Sequence, residues 1–105
     1  MKEITVKELK YKMDQSENFQ LIDVREPHEV EICNLGGINI PMGTVVDRVS
    51  EIKKDVAVII HCRSGARSGA IVQVLMKNYG YTDVYNLKGG ILAWIGEVDD
   101  SLTSY

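Results

Sequence analysis

One segment constrains this chain more than any other: the apolar run Val56-Ala57-Val58-Ile59-Ile60 and the loop that follows it. An unbroken apolar run rich in β-branched residues suits a central parallel strand buried on both faces. It passes directly into His61-Cys62-Arg63-Ser64-Gly65-Ala66-Arg67-Ser68. A helical pattern follows, about Ser68–Asn78, with Ile71, Val74, Leu75 and Tyr79 at helical spacing and Gly80 to end it. In open α/β sheets the carboxyl ends of the strands are where ligands bind. The loop therefore stands where chemistry is placed.

The rest of the chain alternates short apolar runs with helical patterns in the same way. Ile4 lies in a short first strand, and Thr5 with Glu8 forms a T-x-x-E capping box for a helix around Val6–Met13. Phe19–Val24 reads as a strand, and Pro27 opens a short helix near His28–Ile32. Gly36-Gly37 precedes a brief strand, Ile38–Ile40, closed by Pro41. Thr44–Ile52 reads as a helix with Val45, Val49 and Ile52 on one face. Val84–Leu87 is the last strand, and Gly89-Gly90 leads into a final helix, Ile91 to about Glu97, with Trp94 inward. Five strands and about five helices predict an α/β fold, a five-stranded parallel sheet flanked by helices on both faces. At 105 residues the whole chain, 1–105, is expected to be one domain.

Composition narrows the partners. A formal net charge of −3 argues against nucleic acid as the main partner, but not against an anionic substrate, for which the local field decides. No stretch approaches the roughly 20 apolar residues of a membrane helix. The opening residues hold no apolar run of secretory length, so a soluble, cytoplasmic protein is expected. Its two cysteines, Cys33 and Cys62, are then expected as thiols rather than a disulfide. No histidine–cysteine spacing resembles a metal site, and no metal or organic cofactor is implied.

In the loop, a tight turn at a strand end points successive backbone N–H groups inward, and the following helix adds its positive end. The result is an anion cradle with the Cys62 thiol at its base. The helix dipole, the amides of the loop and the guanidinium groups of Arg63 and Arg67 all favour the thiolate, the nucleophilic form. Gly65 supplies a residue that takes positive φ at little steric cost. Ser68 is expected to cap the helix or to hydrogen-bond within the loop. Cys-x5-Arg makes a cradle sized for phosphate, as in cysteine-dependent phosphatases. Here the spacing is Cys-x4-Arg. The smaller cradle suits one extra sulfur on Cys62 better than a tetrahedral oxyanion, which favours sulfur transfer over phosphoryl transfer.

These residues resemble the rhodanese family along nearly the whole chain. Leu21-Ile22-Asp23-Val24-Arg25-Glu26-Pro27 is similar to its first signature, and Asn86-Leu87-Lys88-Gly89-Gly90-Ile91-Leu92-Ala93-Trp94 to its second. The Cys62–Arg67 loop resembles the active-site loop of the single-domain members. The resemblance implies persulfide chemistry at Cys62, with thiosulfate or a cysteine-desulfurase persulfide as donor. Arg63, Ser64, Gly65, Ala66 and Arg67 would bind the substrate, Ser64 without the positive charge some members carry there. Glu29–Gly37 departs from the common G-H-I-x-G-A pattern and, with the segment from Ala93 to Tyr105, is similar to rhodanese domains fused to adenylyltransferases. Those enzymes activate ubiquitin-like sulfur carriers, which makes such a carrier, or thioredoxin, the implied acceptor.

Around the loop, Asp23 and Arg25 are expected to form a buried polar network that braces it. His61 is expected to pack and hydrogen-bond locally, Cys33 to be a core thiol, and Arg63 or Arg67 to meet the substrate anion or to close the loop. Two other functions use fewer of these residues. A cysteine phosphatase or arsenate reductase on the same fold is opposed by the Cys-x4-Arg count. A non-catalytic protein-binding module needs no nucleophile.

Overall fold

A chain in which every strand is followed by a helical or turn segment pairs its strands in parallel, and this one does so throughout. The computed structural model describes residues Met1–Tyr105. Its strands are β1 (Glu3–Ile4), β2 (Phe19–Asp23), β3 (Ile38–Asn39), β4 (Ala57–His61) and β5 (Val84–Leu87). They form one parallel sheet in the order β1-β5-β4-β2-β3, with β4 in the middle. The helices are α1 (Val6–Asp14), α2 (Pro27–Ile32), α3 (Ala66–Tyr79) and α4 (Gly90–Glu97). None is long and apolar enough to cross a membrane.

Side chains alternate across the sheet, and the alternation sorts the core into two layers. Ile22, Val24, Val58, Ile60 and Val84 pack with Ile71, Val72 and Leu75 of α3. Leu21, Ile59 and Leu87 pack on the opposite face with Val6 and Leu9 of α1 and Trp94 of α4. Cys62 continues the alternation of Val58 and Ile60 and belongs to the α3 side. His61 takes the alternation of Ile59. Its partner in register on β2 is Asp23.

Local signals explain most element starts. The Thr5 hydroxyl accepts from the Glu8 amide at 3.1 Å and the Glu8 carboxylate accepts from the Thr5 amide at 2.9 Å, a complete capping box. Pro27 sits in the first turn of α2. Thr44–Ile52, by contrast, is not an α-helix but two 3-10 turns, Met42–Thr44 and Val49–Glu51. Its valines are β-branched and resist a continuous helix. The Arg48 side chain is drawn off to Glu51, at 2.7 and 3.0 Å. Short turns suffice, because Val45 and Ile52 still reach the core.

Candidate active site

The helix after β4 begins two residues earlier than its sequence suggests. Gly65 stands at its N-cap with φ +107°, a left-handed conformation that turns the chain sharply after Ser64. Ala66, Arg67 and Ser68 are therefore the first turn of α3 rather than loop. Ser68 is not the cap. Its amide and its hydroxyl both face the Cys62 sulfur.

That sulfur is the focus of the loop. The Gly65 amide donates to Sγ at 3.1 Å, the Ser68 amide at 3.4 Å, and the Ser68 hydroxyl lies at 3.3 Å. Cys62 is 1% exposed, and burial alone pushes its thiol up. The Ser68 hydroxyl and amide, then the amides of Gly65 and Ser64, outweigh burial and hold the thiol below its ordinary value. Hydrogen bonds lead the causes that lower it. Arg67 interacts with the Cys62 sulfur through charge, as expected, while its guanidinium pairs with Glu29; Arg63 turns to Tyr105.

Ser68 has one hydroxyl proton and two acceptors. Asn86 Oδ1 lies 2.6 Å from Ser68 Oγ, and Asn86 Nδ2 donates to the Gly65 carbonyl at 3.1 Å, which fixes the amide's orientation. With Cys62 protonated, the hydroxyl serves Asn86 and its oxygen faces the thiol. Once Cys62 ionises, the same proton has a charged acceptor, the stronger kind.

Outside the cradle, the loop is held by the start of α4. The Ile91 amide donates to the Cys62 carbonyl at 3.0 Å, and the Leu92 amide to the Arg63 carbonyl at 3.1 Å. A Cβ at Gly90, where φ is +60°, would lie 2.5 Å from the Arg63 oxygen and 2.7 Å from the Cys62 oxygen. Only glycine permits this approach.

The arginines take separate paths. Arg67 makes a bidentate pair with Glu29 on α2, at 2.7 and 2.9 Å. The Arg67 guanidinium lowers the Glu29 carboxyl to about 2 against the resistance of burial, with help from the Glu26 amide and the Tyr105 hydroxyl. Arg63 turns to Tyr105, whose backbone carbonyl accepts from Nε at 2.8 Å and also from Nη2. Ser64 contributes its amide, and Ala66 opens the helix.

Arg25 and Asp23 form a buried network, with Nη2–Oδ2 at 2.8 Å and side chains 0% and 3% exposed respectively. Arg25 also donates to the Cys33 carbonyl at 2.7 Å, the Glu29 carbonyl at 3.3 Å and the Tyr105 hydroxyl at 2.9 Å. It ties α2 to β2, and through Glu29 reaches Arg67. His61 packs but does not hydrogen-bond: neither ring nitrogen has a partner. The Asp23 carboxylate is occupied by Arg25, which leaves His61 Nε2 at 3.7 Å. Burial lowers the His61 pKa despite Asp23, so the ring is neutral near pH 7. Cys33 and Trp94 are buried.

The family profile described as "Rhodanese-like domain" matches residues 5–97. The chain belongs to that family. This rhodanese domain is 41% identical over 93 residues to a protein of Allochromatium vinosum named "Sulfurtransferase", covering 88% of this chain and 86% of that one. It is 34% identical over 111 residues to "Adenylyltransferase and sulfurtransferase MOCS3-1" of Drosophila pseudoobscura pseudoobscura, covering 97% of this chain and 24% of that protein. The solved rhodanese-like domain protein of Staphylococcus aureus superposes with a TM-score of 0.84 at 34% identity, covering 100% of this chain and 99% of that one. Other curated relatives are longer: the chain spans 63%, 38% and 52% of three of them.

Three residues of the site escaped sequence reasoning: Glu29, Asn86 and Tyr105. Asn86 carried a signal, since it is a polar residue in the otherwise apolar strand Val84–Leu87, in step with Val84 on the α3 side. A buried amide at a strand end is there to hydrogen-bond. Glu29 and Tyr105 carried no such mark.

Proposed function

We propose that this rhodanese domain is a sulfurtransferase that carries sulfane sulfur as a persulfide on Cys62. The observation that supports it best is the convergence of the Gly65 amide, the Ser68 amide and the Ser68 hydroxyl on one sulfur. Donors so arranged favour a thiolate and, after reaction, a persulfide anion. With thiosulfate as donor, the Cys62 thiolate attacks the outer sulfur. A new S–S bond forms, the donor's S–S bond breaks, and sulfite leaves with the electron pair. A nucleophilic acceptor then attacks the terminal sulfur and regenerates the thiolate. A protein persulfide, with a thiolate as leaving group, serves the same balance.

A sulfur carrier, the acceptor suggested by a relative named "Putative sulfur carrier protein YrkF", reacts with the opposite polarity. The terminal sulfur of the persulfide attacks its activated C-terminal carboxyl and expels the activating group, and a thiol reductant then takes the Cys62 sulfur as a disulfide and releases the thiocarboxylate. Phosphoryl transfer is disfavoured by the short Cys-x4-Arg loop and by the commitment of the Arg67 guanidinium to Glu29.

Incubation with thiosulfate followed by intact-mass spectrometry is the direct test. The wild type should gain one sulfur, about 32 Da, and Cys33→Ser should gain it too. Retention of the gain in Cys62→Ser would overturn the assignment.

A further inference from the structure

Arg63 is the one cationic side chain of the loop not paired with an Asp or Glu side chain, and it is not free. The segment after α4 is steered to it step by step. An Asx turn, with the Ser101 amide and hydroxyl donating to Asp99 Oδ1 at 3.0 and 2.6 Å, sets the direction. Leu102 then packs on the cluster that holds Trp94. Tyr105 comes to rest between two arginines, its ring centre 5.0 Å from the Arg63 guanidinium carbon and 5.7 Å from that of Arg25. Its hydroxyl accepts from Arg25 at 2.9 Å and donates to Glu29 at 2.9 Å, while its carbonyl takes the Arg63 fork. Arg25 is fully buried, so the phenol end of this strap is fixed to the core, whereas the carbonyl end grips a partly exposed loop side chain.

We propose that Tyr105 determines how strongly anions are admitted to the Cys62 loop, by occupying the Arg63 guanidinium that an anionic reagent or donor must engage. A guanidinium fork matches two oxygens of one anion better than a single main-chain oxygen. An incoming anion therefore competes for Arg63 and must first release the strap. The apparent affinity for anions falls by the fraction of molecules in which the strap is open. Neutral reagents bear no such penalty. That the natural anion is a sulfur donor rests on the function proposed above. The competition for Arg63 does not.

The test compares alkylation of Cys62 by iodoacetate, an anion, and iodoacetamide, its neutral counterpart of similar size. It uses the full chain as wild type, Tyr105→Ala, Tyr105→Phe, and each of these combined with Arg63→Ala. Taking the ratio of the two rates cancels changes in thiol acidity. Tyr105→Ala should raise the iodoacetate-to-iodoacetamide ratio roughly fivefold, the factor one ordinary hydrogen bond represents. Tyr105→Phe, which keeps the ring but loses both phenol bonds, should raise it less and supplies the answer if the alanine variant unfolds. Neither rise should appear in the Arg63→Ala background. An unchanged ratio in both tyrosine variants overturns the proposal, as does an equal rise without Arg63. With thiosulfate, KM should fall by the same factor while kcat stays level. If the alkylation ratio rises and thiosulfate still adds no sulfur, the strap stands and the sulfur-donor reading falls.

Discussion

Replacing Ser68 with alanine isolates the largest single contribution holding the Cys62 thiol down, the Ser68 hydroxyl. A hydrogen bond to a charged acceptor contributes about 1.5–3 kcal/mol. Two features of the site place the effect at the low end. The acceptor is a large sulfur at 3.3 Å, and the hydroxyl must leave Asn86, 2.6 Å away, to serve it. At 1.36 kcal/mol per pKa unit, a loss of about 1.5 kcal/mol raises the thiol by roughly one unit. The amides of Gly65 and Ser68 remain, so the cradle is weakened rather than abolished. The rate of iodoacetamide alkylation against pH, run on Cys33→Ser protein, reads the midpoint directly. Ser68→Ala should shift it up by about one unit and Ser68→Thr should restore it. An unmoved midpoint in Ser68→Ala would falsify the idea that this hydroxyl stabilises the thiolate.

Because the Glu29 carboxyl lies at about 2 in the folded protein against 4.5 ordinarily, its pairing with Arg67 contributes fully above pH 4.5 and is lost as pH falls toward 2. The ceiling is about 3 kcal/mol, lowered by solvent at the one-third-exposed Arg67 side chain, and Glu29→Gln should flatten this acid limb in unfolding titrations. Arg67→Ala, which leaves Glu29 without its partner, should destabilise by about 1–2 kcal/mol, with part recovered in Arg67→Ala/Glu29→Gln, as chemical denaturation would show. Gly90→Ala should strip Cys62 of its enhanced alkylation at neutral pH, because the new Cβ meets the Arg63 and Cys62 carbonyls; unchanged reactivity would show that α4 does not hold the loop. The alkylation midpoint of the wild type should shift by less than about 0.3 unit between 0.1 and 1 M salt, since buried dipoles are screened little, whereas a shift of a unit would point to surface charge as the cause.

What the sequence made legible is what depends on neighbours in the chain. The central strand, the thiol at its end, the glycine that turns the loop and the Thr5–Glu8 box are all settled within a few residues. The misreadings have the same origin. Ser68 looks like an N-cap because serine at a helix start usually is one, but Gly65 turns the chain early enough to bring it into the first turn. Thr44–Ile52 has helical spacing because its apolar residues do face inward, yet spacing alone does not separate a helix from two successive turns. The partners of the arginines were out of reach for a different reason. Glu29 is 38 residues from Arg67 and Tyr105 is 42 from Arg63, pairings that only the assembled sheet brings about.

Those distant pairings explain why the two signatures, Leu21–Pro27 and Asn86–Trp94, belong to one machine although neither contains the nucleophile. With amides of the loop turned inward at Cys62, three of its carbonyls point outward and need donors there. Each meets one on an element the local sequence does not contain. The Cys62 and Arg63 carbonyls are taken by the Ile91 and Leu92 amides at the start of α4. The Gly65 carbonyl is taken by Asn86 at the end of β5. All three donors lie in Asn86–Trp94, and Gly90 is what lets α4 come near enough. The first signature acts from the other side, as Arg25 anchors α2 and α2 presents Glu29 to Arg67 at the start of α3. The thiol's acidity is thus set mainly by oriented dipoles. Of the two loop arginines, one is committed to structure and the other is held by Tyr105, available to an anion only on release.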